Sequence, residues 1–387
     1  MVSEGSEAPP LSHYSGSLSP SIVFVGETWG ESEEETKRPF SGSSGRELFL
    51  MLGEALPDRE PELWAQARKM FFAGHGWIGK RDEWARSAGF GFTNTINLRP
   101  ADGKIDSLCV SKKELPNGYS LPQIDQGRYI APEHLHHLDR LRDELSSLRP
   151  NLIVALGNVA CWALLGTRGI SGLRGTVARD GLTGLGLKVL PTFHPSNVLK
   201  QWSWRQIVVG DLMKAGREGE FGEIRRPARS VLINPTIEEV EKWTERTLSA
   251  QVPLSCDTET AKGQITMVGF ADSRSSAIVV PFRNFLGAKE KLHYWNPNEE
   301  IRAWGCVKRL LEGRNYKIFQ NGLYDIQYFL AHGLETWNAR EDTMLLHHSI
   351  LPEMQKGLGF LGSVYSNEPA WKIMRKKRAD EPEKADE

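Results

Sequence analysis

The chain has 387 residues, which exceeds one typical domain of about 100 to 200 residues, so two domains are expected. Hydrophobic residues make up 40% and charged residues 25% of the chain, an ordinary globular composition with enough apolar side chains for two cores. With 48 basic and 49 acidic residues the formal net charge is -1, which excludes a global attraction for polyanions and leaves any nucleic-acid surface local.

The N-terminus and the cysteines favour a cytoplasmic location. Residues 1–20 are rich in Ser, Pro and Gly without a cationic start and an apolar core, so we expect a flexible leader and no targeting signal. No run approaches the roughly 18 apolar residues of a membrane span, so no membrane partner is expected. The four cysteines are Cys109, Cys161, Cys256 and Cys306. They include no CxxC or other close pair, so we expect neither a disulfide framework nor a cysteine metal cluster, as in a reducing cytoplasm.

The most informative stretch of the first half is residues 22–45, IVFVGETWGESEEETKRPFSGSSG. Its apolar run Ile22–Val25 stops at Gly26 and leads into an acidic loop punctuated by glycines. This pattern is typical of a buried parallel strand that delivers residues to a site. Apolar residues then recur at helical spacing, which predicts a helix packed on the sheet: Leu48, Met51, Leu52 and Leu56.

Further α/β steps follow in the first half. A long segment without sustained periodicity, residues 101–131, is expected to be an insertion, since such loops are usually functional or mobile. Around it the pattern predicts strands within residues 91–100, 151–156 and 187–193, and helices at 132–147, 157–166 and 204–215. We therefore predict a three-layer α/β/α fold over residues 21–216, in which a mostly parallel central sheet lies between two layers of helices.

The second half begins after a change in composition. Residues 217–229 lose apolar periodicity and gather Gly, Pro and Arg, which predicts a linker. The predicted second domain, residues 230–372, starts with a three-strand meander at 253–281 and continues with helices at 298–311 and 323–332 and a strand at 317–319. Residues 373–387 are highly charged and are expected to form a solvated tail.

Four motifs in order carry a resemblance to a known family: GETWGESEEETKRPFSG, FTNTINLRP, LIVALGNVA and PTFHPSNVL. Across residues 20–215 the chain resembles the family 4 uracil-DNA glycosylases. The resemblance implies a DNA-repair enzyme that hydrolyses the N-glycosidic bond of uracil, or of a related base, in DNA. It implies that Glu27 and His194 are catalytic, and that the base is bound by Gly26, Thr28, Phe40, Asn94, Pro195 and Ser196.

The residue types suit that chemistry. The enzyme must take the base out of the stack, and an aromatic face such as Phe40 can stack on it. The Asn94 carboxamide offers one donor and one acceptor to the edge by which uracil differs from cytosine. A donor such as His194 can stabilise the departing anion, and a carboxylate such as Glu27 can position water or stabilise the cationic sugar. Taken singly, each residue also has a structural interpretation: Phe40 as a core residue, Asn94 as a turn cap and His194 as a loop histidine with satisfied hydrogen bonds. Their occurrence together, in the order of the family motifs, favours a functional site.

The sequence departs from the family at three places. The family binds an iron–sulfur cluster through four cysteines, but Leu98 stands at one of those positions and no cysteine pair lies near the N-terminus. We therefore expect no iron–sulfur cluster and no other cofactor in this domain. The family's Ala-Pro after the loop glutamate is Thr28-Trp29 here, which puts the preferred base in question. The insertion at 101–131 would contact DNA phosphates or cover the missing cluster site.

A second resemblance covers residues 253–372. The segments SCDTET, QNGLYD and EDT resemble the first motifs of the 3′-5′ exonuclease domain of family A DNA polymerases. The resemblance implies an α/β, ribonuclease H-like (DnaQ-like exonuclease) fold, with a DNA polymerase or other replication protein as a partner. Asp257 and Glu259 would point to one strand face and Asp325 would join them around Mg²⁺ or Mn²⁺, although an isolated DxE strand is also typical of an exposed acidic strand.

The exonuclease motif set is incomplete. The family's third motif places a Tyr four residues before an Asp, whereas Tyr328 and Tyr365 are followed at that spacing by His332 and Pro369. We therefore expect metal binding with little exonuclease turnover. The leading hypothesis is a repair or replication protein of a bacterial or phage-infected cell, with a glycosylase domain and a degenerate exonuclease-like domain. Its alternatives are a non-catalytic DNA-binding or polymerase-accessory protein, and an exonuclease completed by another subunit.

Overall fold

The computed structural model describes residues 11, 13–73, 76–283 and 293–370, which form two compact units. The first unit runs to Arg225 and also includes the segment that begins at Gly362, and the second is Arg226–Leu361. Residues 362–370, which are predicted above to belong to the second domain, therefore group with the first unit. The predicted tail, 373–387, lies outside the described residues, as does most of the predicted leader.

The first unit is built on a six-stranded sheet in the order β1-β3-β2-β6-β8-β7. Its strands are β1 (Ser15–Gly16), β2 (Ile22–Thr28), β3 (Phe90–Ile96), β6 (Leu152–Leu156), β7 (Ala178–Arg179) and β8 (Lys188–Thr192). The four central strands β3, β2, β6 and β8 are mutually parallel, and the two edge strands are antiparallel to their neighbours. The end of the predicted leader is therefore ordered, because β1 pairs with β3.

Helices cover both faces of this sheet. They are α1 (Glu31–Thr36), α2 (Ser43–Ala55), α3 (Pro61–Ala73), α4 (Trp77–Ala88), α5 (His136–Leu148), α6 (Gly157–Leu165), α7 (Ile170–Leu173), α8 (Pro195–Lys200) and α9 (Arg205–Glu218). Alternate residues of β2 enter different cores: Ile22 and Phe24 pack with α2, α4 and α9, whereas Val23 and Val25 pack with α5 and α6. This two-sided burial explains the unbroken apolar run of β2 and produces three layers.

The insertion between β3 and α5 is more regular than its sequence pattern predicts. It contains an antiparallel pair, β4 (Cys109–Ser111) and β5 (Arg128–Ile130), together with short 3₁₀ turns. Leu108, Ile124 and Ile130 are buried in the core that also receives α5 and α6. Three widely spaced apolar anchors therefore hold the insertion on the domain, and such spacing has neither helical nor strand periodicity.

The second unit has its own six-stranded sheet, in the order β14-β13-β10-β11-β12-β9. The strands are β9 (Ser230–Leu232), β10 (Leu254–Ala261), β11 (Gln264–Ala271), β12 (Ser276–Pro281), β13 (Lys317–Phe319) and β14 (Ala339–Asp342). Strands β10, β11 and β12 form the predicted antiparallel meander, while β13 is parallel to β10 and β14 is parallel to β13.

The remaining helices are α10 (Ile237–Ala250), α11 (Pro297–Glu312), α12 (Leu323–Ala331), α13 (Thr343–Ile350) and α14 (Leu358–Tyr365). The core of the second unit draws on α10, α11 and the meander, with Trp243, Phe270 and Leu310 among its buried residues. In the described part of the chain, no helix combines the length and the apolar character that crossing a membrane requires.

Candidate active site

The candidate site lies where the central parallel strands of the first unit end. In the register of β2 and β3, Gly26 lies directly opposite Asn94. A Cβ atom on Gly26 would overlap Asn94 Oδ1 and would come within 2.7 Å of Phe40 Cζ. Glycine at this position therefore makes room for both side chains, and the carboxyl ends of neighbouring parallel strands bring them together.

Phe40 is held in an uncommon backbone conformation. Its φ of 55° lies in the left-handed region, which costs energy for a residue other than glycine. The buried guanidinium of Arg81 donates hydrogen bonds to the carbonyl oxygens of Pro39 at 3.0 Å and of Phe40 at 2.6 Å. The ring packs 6.0 Å from Phe92 and 6.2 Å from the His194 ring, measured between centroids. Arg81 therefore presents the aromatic face of Phe40 to the site.

Asn94 is oriented through its own peptide group. Arg140 donates hydrogen bonds to the backbone carbonyl oxygens of Asn94 at 2.5 Å and of Thr95 at 3.0 Å. The Glu144 carboxylate accepts hydrogen bonds from Arg140 at 2.6 Å and from Thr93 Oγ1 at 2.7 Å. Among the described residues, none donates to or accepts from the Asn94 carboxamide, although Asn94 is only 3% exposed. Its donor and acceptor are therefore available to a ligand.

Glu27 lies beside the first turn of α6. Its Oε1 atom accepts a hydrogen bond from the Val159 backbone N–H at 3.3 Å. Helix α6 begins at Gly157, whose φ is +90°. A Cβ atom at this position would overlap Glu27 Oε1 and lie 3.0 Å from His194 Cβ. Glu27 therefore lies both at the start of α6 and next to His194.

His194 precedes α8, and its ring is fixed by the residue two positions later. The Ser196 backbone N–H donates to His194 Nδ1 at 3.2 Å, and Ser196 Oγ lies 2.8 Å from the same nitrogen. Since a backbone N–H can only donate, Nδ1 carries no proton, and the neutral ring carries its proton on Nε2. Burial lowers the pKa of His194, whereas the carboxylates of Glu27 and Glu33 raise it.

The loop between Gly30 and Gly42 is closed by Glu33, whose carboxylate accepts hydrogen bonds from the Gly30 N–H at 3.1 Å and the Gly42 N–H at 3.4 Å. Trp29, the residue that departs from the family, is buried and packs its ring edge-on against His13, with 5.0 Å between centroids. Lys37 lies over the same indole at 5.1 Å. The bulk of Trp29 is therefore accommodated by packing with His13 and Lys37.

The structure thus brings together five of the predicted site residues: Gly26, Glu27, Phe40, Asn94 and His194. Three others support them locally: Thr28 pairs with Ile96 in the sheet, Pro195 begins α8 and Ser196 orients the His194 ring. Sequence reasoning missed Arg81, Arg140, Glu144 and Glu33. The available signal was weak, because an arginine or glutamate on an amphipathic helix usually indicates a solvated face.

The predicted metal triad of the second unit is not assembled. Asp325 Oδ1 accepts hydrogen bonds from the backbone N–H of Thr258 at 2.8 Å and from its hydroxyl at 2.7 Å. Thr258 is buried between Asp257 and Glu259, whose side chains alternate to the more exposed face of β10. Within the described ranges, no three His, Cys, Asp or Glu side chains lie close enough together to hold a metal ion. The metal site of Asp257, Glu259 and Asp325 stays a prediction, and in this structure Asp325 Oδ1 is bound to the strand between the two acids.

Comparison with known proteins defines the class of the first unit. The model of the uracil DNA glycosylase superfamily matches residues 13–212, just over half of the chain. The chain therefore belongs to the uracil DNA glycosylase superfamily and is a hydrolase that acts on N-glycosyl bonds in DNA. Among individual proteins, it is similar to the type-4 uracil-DNA glycosylase of Thermotoga maritima, with 29% identity over 204 residues that cover 52% of this chain and 78% of the relative.

Proposed function

We propose that the first unit excises uracil from DNA, with Glu27 and His194 as catalytic residues. The observation that carries this proposal is that Phe40 lies against Gly26, which is opposite Asn94, and that its ring centroid is 6.2 Å from that of His194. An aromatic ring, an uncommitted carboxamide and a neutral imidazole therefore lie next to one another. A DNA base taken out of its stack offers one flat face and one edge of donors and acceptors, so these groups match it.

Recognition of uracil follows from the donors and acceptors. Uracil presents an N–H donor and a carbonyl acceptor on the edge where cytosine presents an acceptor and an amino donor. Asn94 Oδ1 would accept the uracil N–H and Asn94 Nδ2 would donate to the carbonyl, whereas cytosine would meet two mismatched contacts. Stacking on Phe40 adds on the order of 1 to 3 kcal/mol without distinguishing the two bases. Specificity therefore depends on Asn94, and affinity depends largely on Phe40.

Bond cleavage leaves negative charge on the departing base and positive charge on the sugar. The Nε2–H of His194 would donate to the developing oxyanion, and a preorganised donor of this kind is worth about 3 to 4 kcal/mol. The neutral tautomer provides that donor without requiring a protonated ring in a buried site. Glu27 would hold the attacking water or stabilise the cationic sugar from its place at the start of α6.

The test is a single-turnover cleavage of a uracil-containing oligonucleotide, with alkali to cut the abasic product. We expect excision by the wild-type chain and none from the matched cytosine oligonucleotide. The variant His194→Gln should lose about a hundredfold in rate, as expected for removal of one oxyanion donor. Intact uracil DNA under conditions where a control glycosylase cuts it would refute the proposed activity.

We further propose that this domain works without an iron–sulfur cluster. The support is compositional, because the thiolate ligands of such a cluster have no counterpart at Leu98 or near the N-terminus. The purified protein should be colourless and free of iron. Stoichiometric iron with charge-transfer absorbance in the visible region would contradict the proposal and would mean that other residues bind the cluster.

For the second unit we propose a ribonuclease H-like fold that holds DNA or a polymerase partner with little or no nuclease turnover. The sheet supports this fold, since a three-strand antiparallel meander is extended by two parallel strands next to β10. Engagement of Asp325 with Thr258 supports the low turnover, because a two-metal site needs that carboxylate. Binding of single-stranded oligonucleotides by Asp257→Ala and wild type, measured by fluorescence anisotropy, tests the DNA-holding role.

A further inference from the structure

A short C-terminal segment is built into the first unit. This segment, residues 362–367, is called the C-terminal strap. The Arg174 guanidinium donates to Ser363 Oγ at 2.9 Å. The Lys214 ammonium donates to the carbonyl oxygens of Ser363 and Ser366, and Asn367 Nδ2 donates to Glu218 Oε1 at 2.6 Å. The strap thus supplies partners to three charged side chains of the glycosylase unit.

Those three charges are deeply buried. Arg174 is 3% exposed, Lys214 is 3% exposed and Glu218 is 4% exposed. A buried charge is tolerated only when it is paired and its hydrogen-bonding capacity is used, so removal of a partner is costly. At Gly175 the backbone has a φ of +69°, and a Cβ atom would lie 2.9 Å from the Ser363 carbonyl oxygen. Glycine therefore permits the close approach of the strap.

One of these contacts leads directly to the catalytic histidine. Arg174 Nε donates to Asp211 Oδ2 at 2.9 Å, and Thr192 Oγ1 donates to the same oxygen at 2.6 Å. Thr192 is the last residue of β8 and precedes His194 by two positions. The chain of contacts from Ser363 through Arg174 and Asp211 therefore ends at the strand that carries His194.

The other polar end of the strap reaches the opposite end of the same strand. Asn367 donates to Glu218, and the Glu218 carboxylate pairs with Lys188 at 3.0 Å. Lys188 is the first residue of β8. Ser363 and Asn367 are therefore matched in chemistry, because each completes a buried ion pair, but they act at opposite ends of β8.

We propose that Ser363 and Asp211 are positioning residues for His194, so that the glycosylase site requires the C-terminal strap. The proposal rests on the proposed role of His194 in base excision. It assigns residues beyond the second unit to the activity of the first. A misplacement of about 1 Å at a catalytic group is enough to cost up to a hundredfold in rate, so one lost contact at the end of β8 matters.

The test compares Ser363→Ala with the matched control Asn367→Ala, both in the full chain. Single-turnover excision of uracil is measured at saturating enzyme, with DNA affinity measured separately and thermal stability recorded for each variant. We expect Ser363→Ala to lower the rate about tenfold with unchanged DNA affinity, while Asn367→Ala stays within about twofold of wild type at similar thermal stability. Thr192→Val should reproduce the loss, and Thr192→Ser, which keeps the hydroxyl, should restore the rate.

A second readout separates this proposal from the proposed function. The NMR signals and pH titration of the His194 ring should change in Ser363→Ala and remain as in wild type in Asn367→Ala. The positioning role would be overturned if both variants lost excision rate equally and in proportion to their loss of thermal stability. It would also be overturned if the His194 titration were unchanged in Ser363→Ala. If wild-type protein leaves uracil DNA intact, the proposed function fails, and the His194 titration alone then decides the role of the strap.

Discussion

Carboxylates in the two units of this protein lie near strand ends but have different surroundings. Glu27 lies at the start of a helix and next to His194, and Gly157 leaves space beside its carboxylate. Asp325 in the second unit is bound to Thr258, and Asp342 accepts hydrogen bonds from the backbone N–H groups of Asn321 and Gly322. The first arrangement leaves groups free for a ligand, while the second commits them to the fold.

This difference shows what turns a motif into a site. In the first unit, groups outside the motifs satisfy the backbone: Arg81 binds the Phe40 carbonyl and Arg140 binds the Asn94 carbonyl. The Asn94 carboxamide is therefore left free for a ligand, whereas Glu27 and His194 each also accept one backbone N–H. In the second unit, Asp325 and Asp342 themselves satisfy backbone donors at strand and helix ends.

The largest expected effect comes from closing the space that Gly26 leaves. In Gly26→Ala the new methyl group would displace Asn94 or Phe40, and we expect uracil excision to fall at least about a hundredfold. A matched control is Gly181→Ala, where a Cβ atom meets nothing within 4 Å among the described residues. The measurement is the single-turnover rate, with circular dichroism to establish folding. Retention of full activity by Gly26→Ala would show that the base is bound elsewhere.

A smaller effect is expected from Asn94→Asp. The carboxylate loses the amide donor but keeps its acceptors, so uracil binding weakens and the preference over cytosine falls by about 1 to 2 kcal/mol, on the scale of one hydrogen bond to a buried group. Competition between uracil and cytosine oligonucleotides measures this preference. An unchanged preference would mean that another group reads the base edge.

The pH dependence of the reaction should report on His194. Because burial lowers its pKa below the ordinary value of 6.5, the ring is neutral near pH 7. Its contribution to stability is complete above the unfolded pKa and is lost as the pH falls through the range between the unfolded and folded values. Excision should decline at more acidic pH, where the pH approaches the folded-state pKa and the ring of the folded enzyme becomes protonated, since a proton on Nδ1 opposes the Ser196 N–H.

Glu27→Gln sharpens this test. The Glu27 carboxylate raises the pKa of His194, so its removal should move the acidic limb of the residual activity, and the NMR titration of the ring, to lower pH. The control is Glu54→Gln, which removes an exposed carboxylate of the ion pair with Arg205. A shift to higher pH in Glu27→Gln would contradict the assigned proximity of the two groups.

The smallest expected effect concerns nuclease activity in the second unit. With Mg²⁺ or Mn²⁺, the purified chain should degrade 3′ ends slowly or not at all, and Asp257→Ala should leave that background unchanged. Gel analysis of an end-labelled single strand measures this, with a proofreading exonuclease as a positive control. Robust degradation that Asp257→Ala abolishes would mean that Asp325 leaves Thr258 when metal binds.

Local chemistry in the sequence determined much of the first unit. The unbroken apolar run Ile22–Val25 predicts a strand buried on both faces, and the glycine and carboxylate after it predict a loop at a strand end. The strand ends then predict where Glu27, Asn94 and His194 meet, because neighbouring parallel strands finish at one edge of a sheet. Each of these inferences depends on residues close together in the chain.

Only the tertiary structure decided which groups are free and which are committed. The hydrogen bonds from Arg81 to Phe40, from Thr258 to Asp325 and from Arg174 to Ser363 join residues 41, 67 and 189 positions apart. Such contacts have no signature in periodicity or composition, since the same arginine or aspartate on a helix suits solvent equally well. Buried polar groups take whatever partner the packed chain brings within reach, and that choice is made by the whole fold.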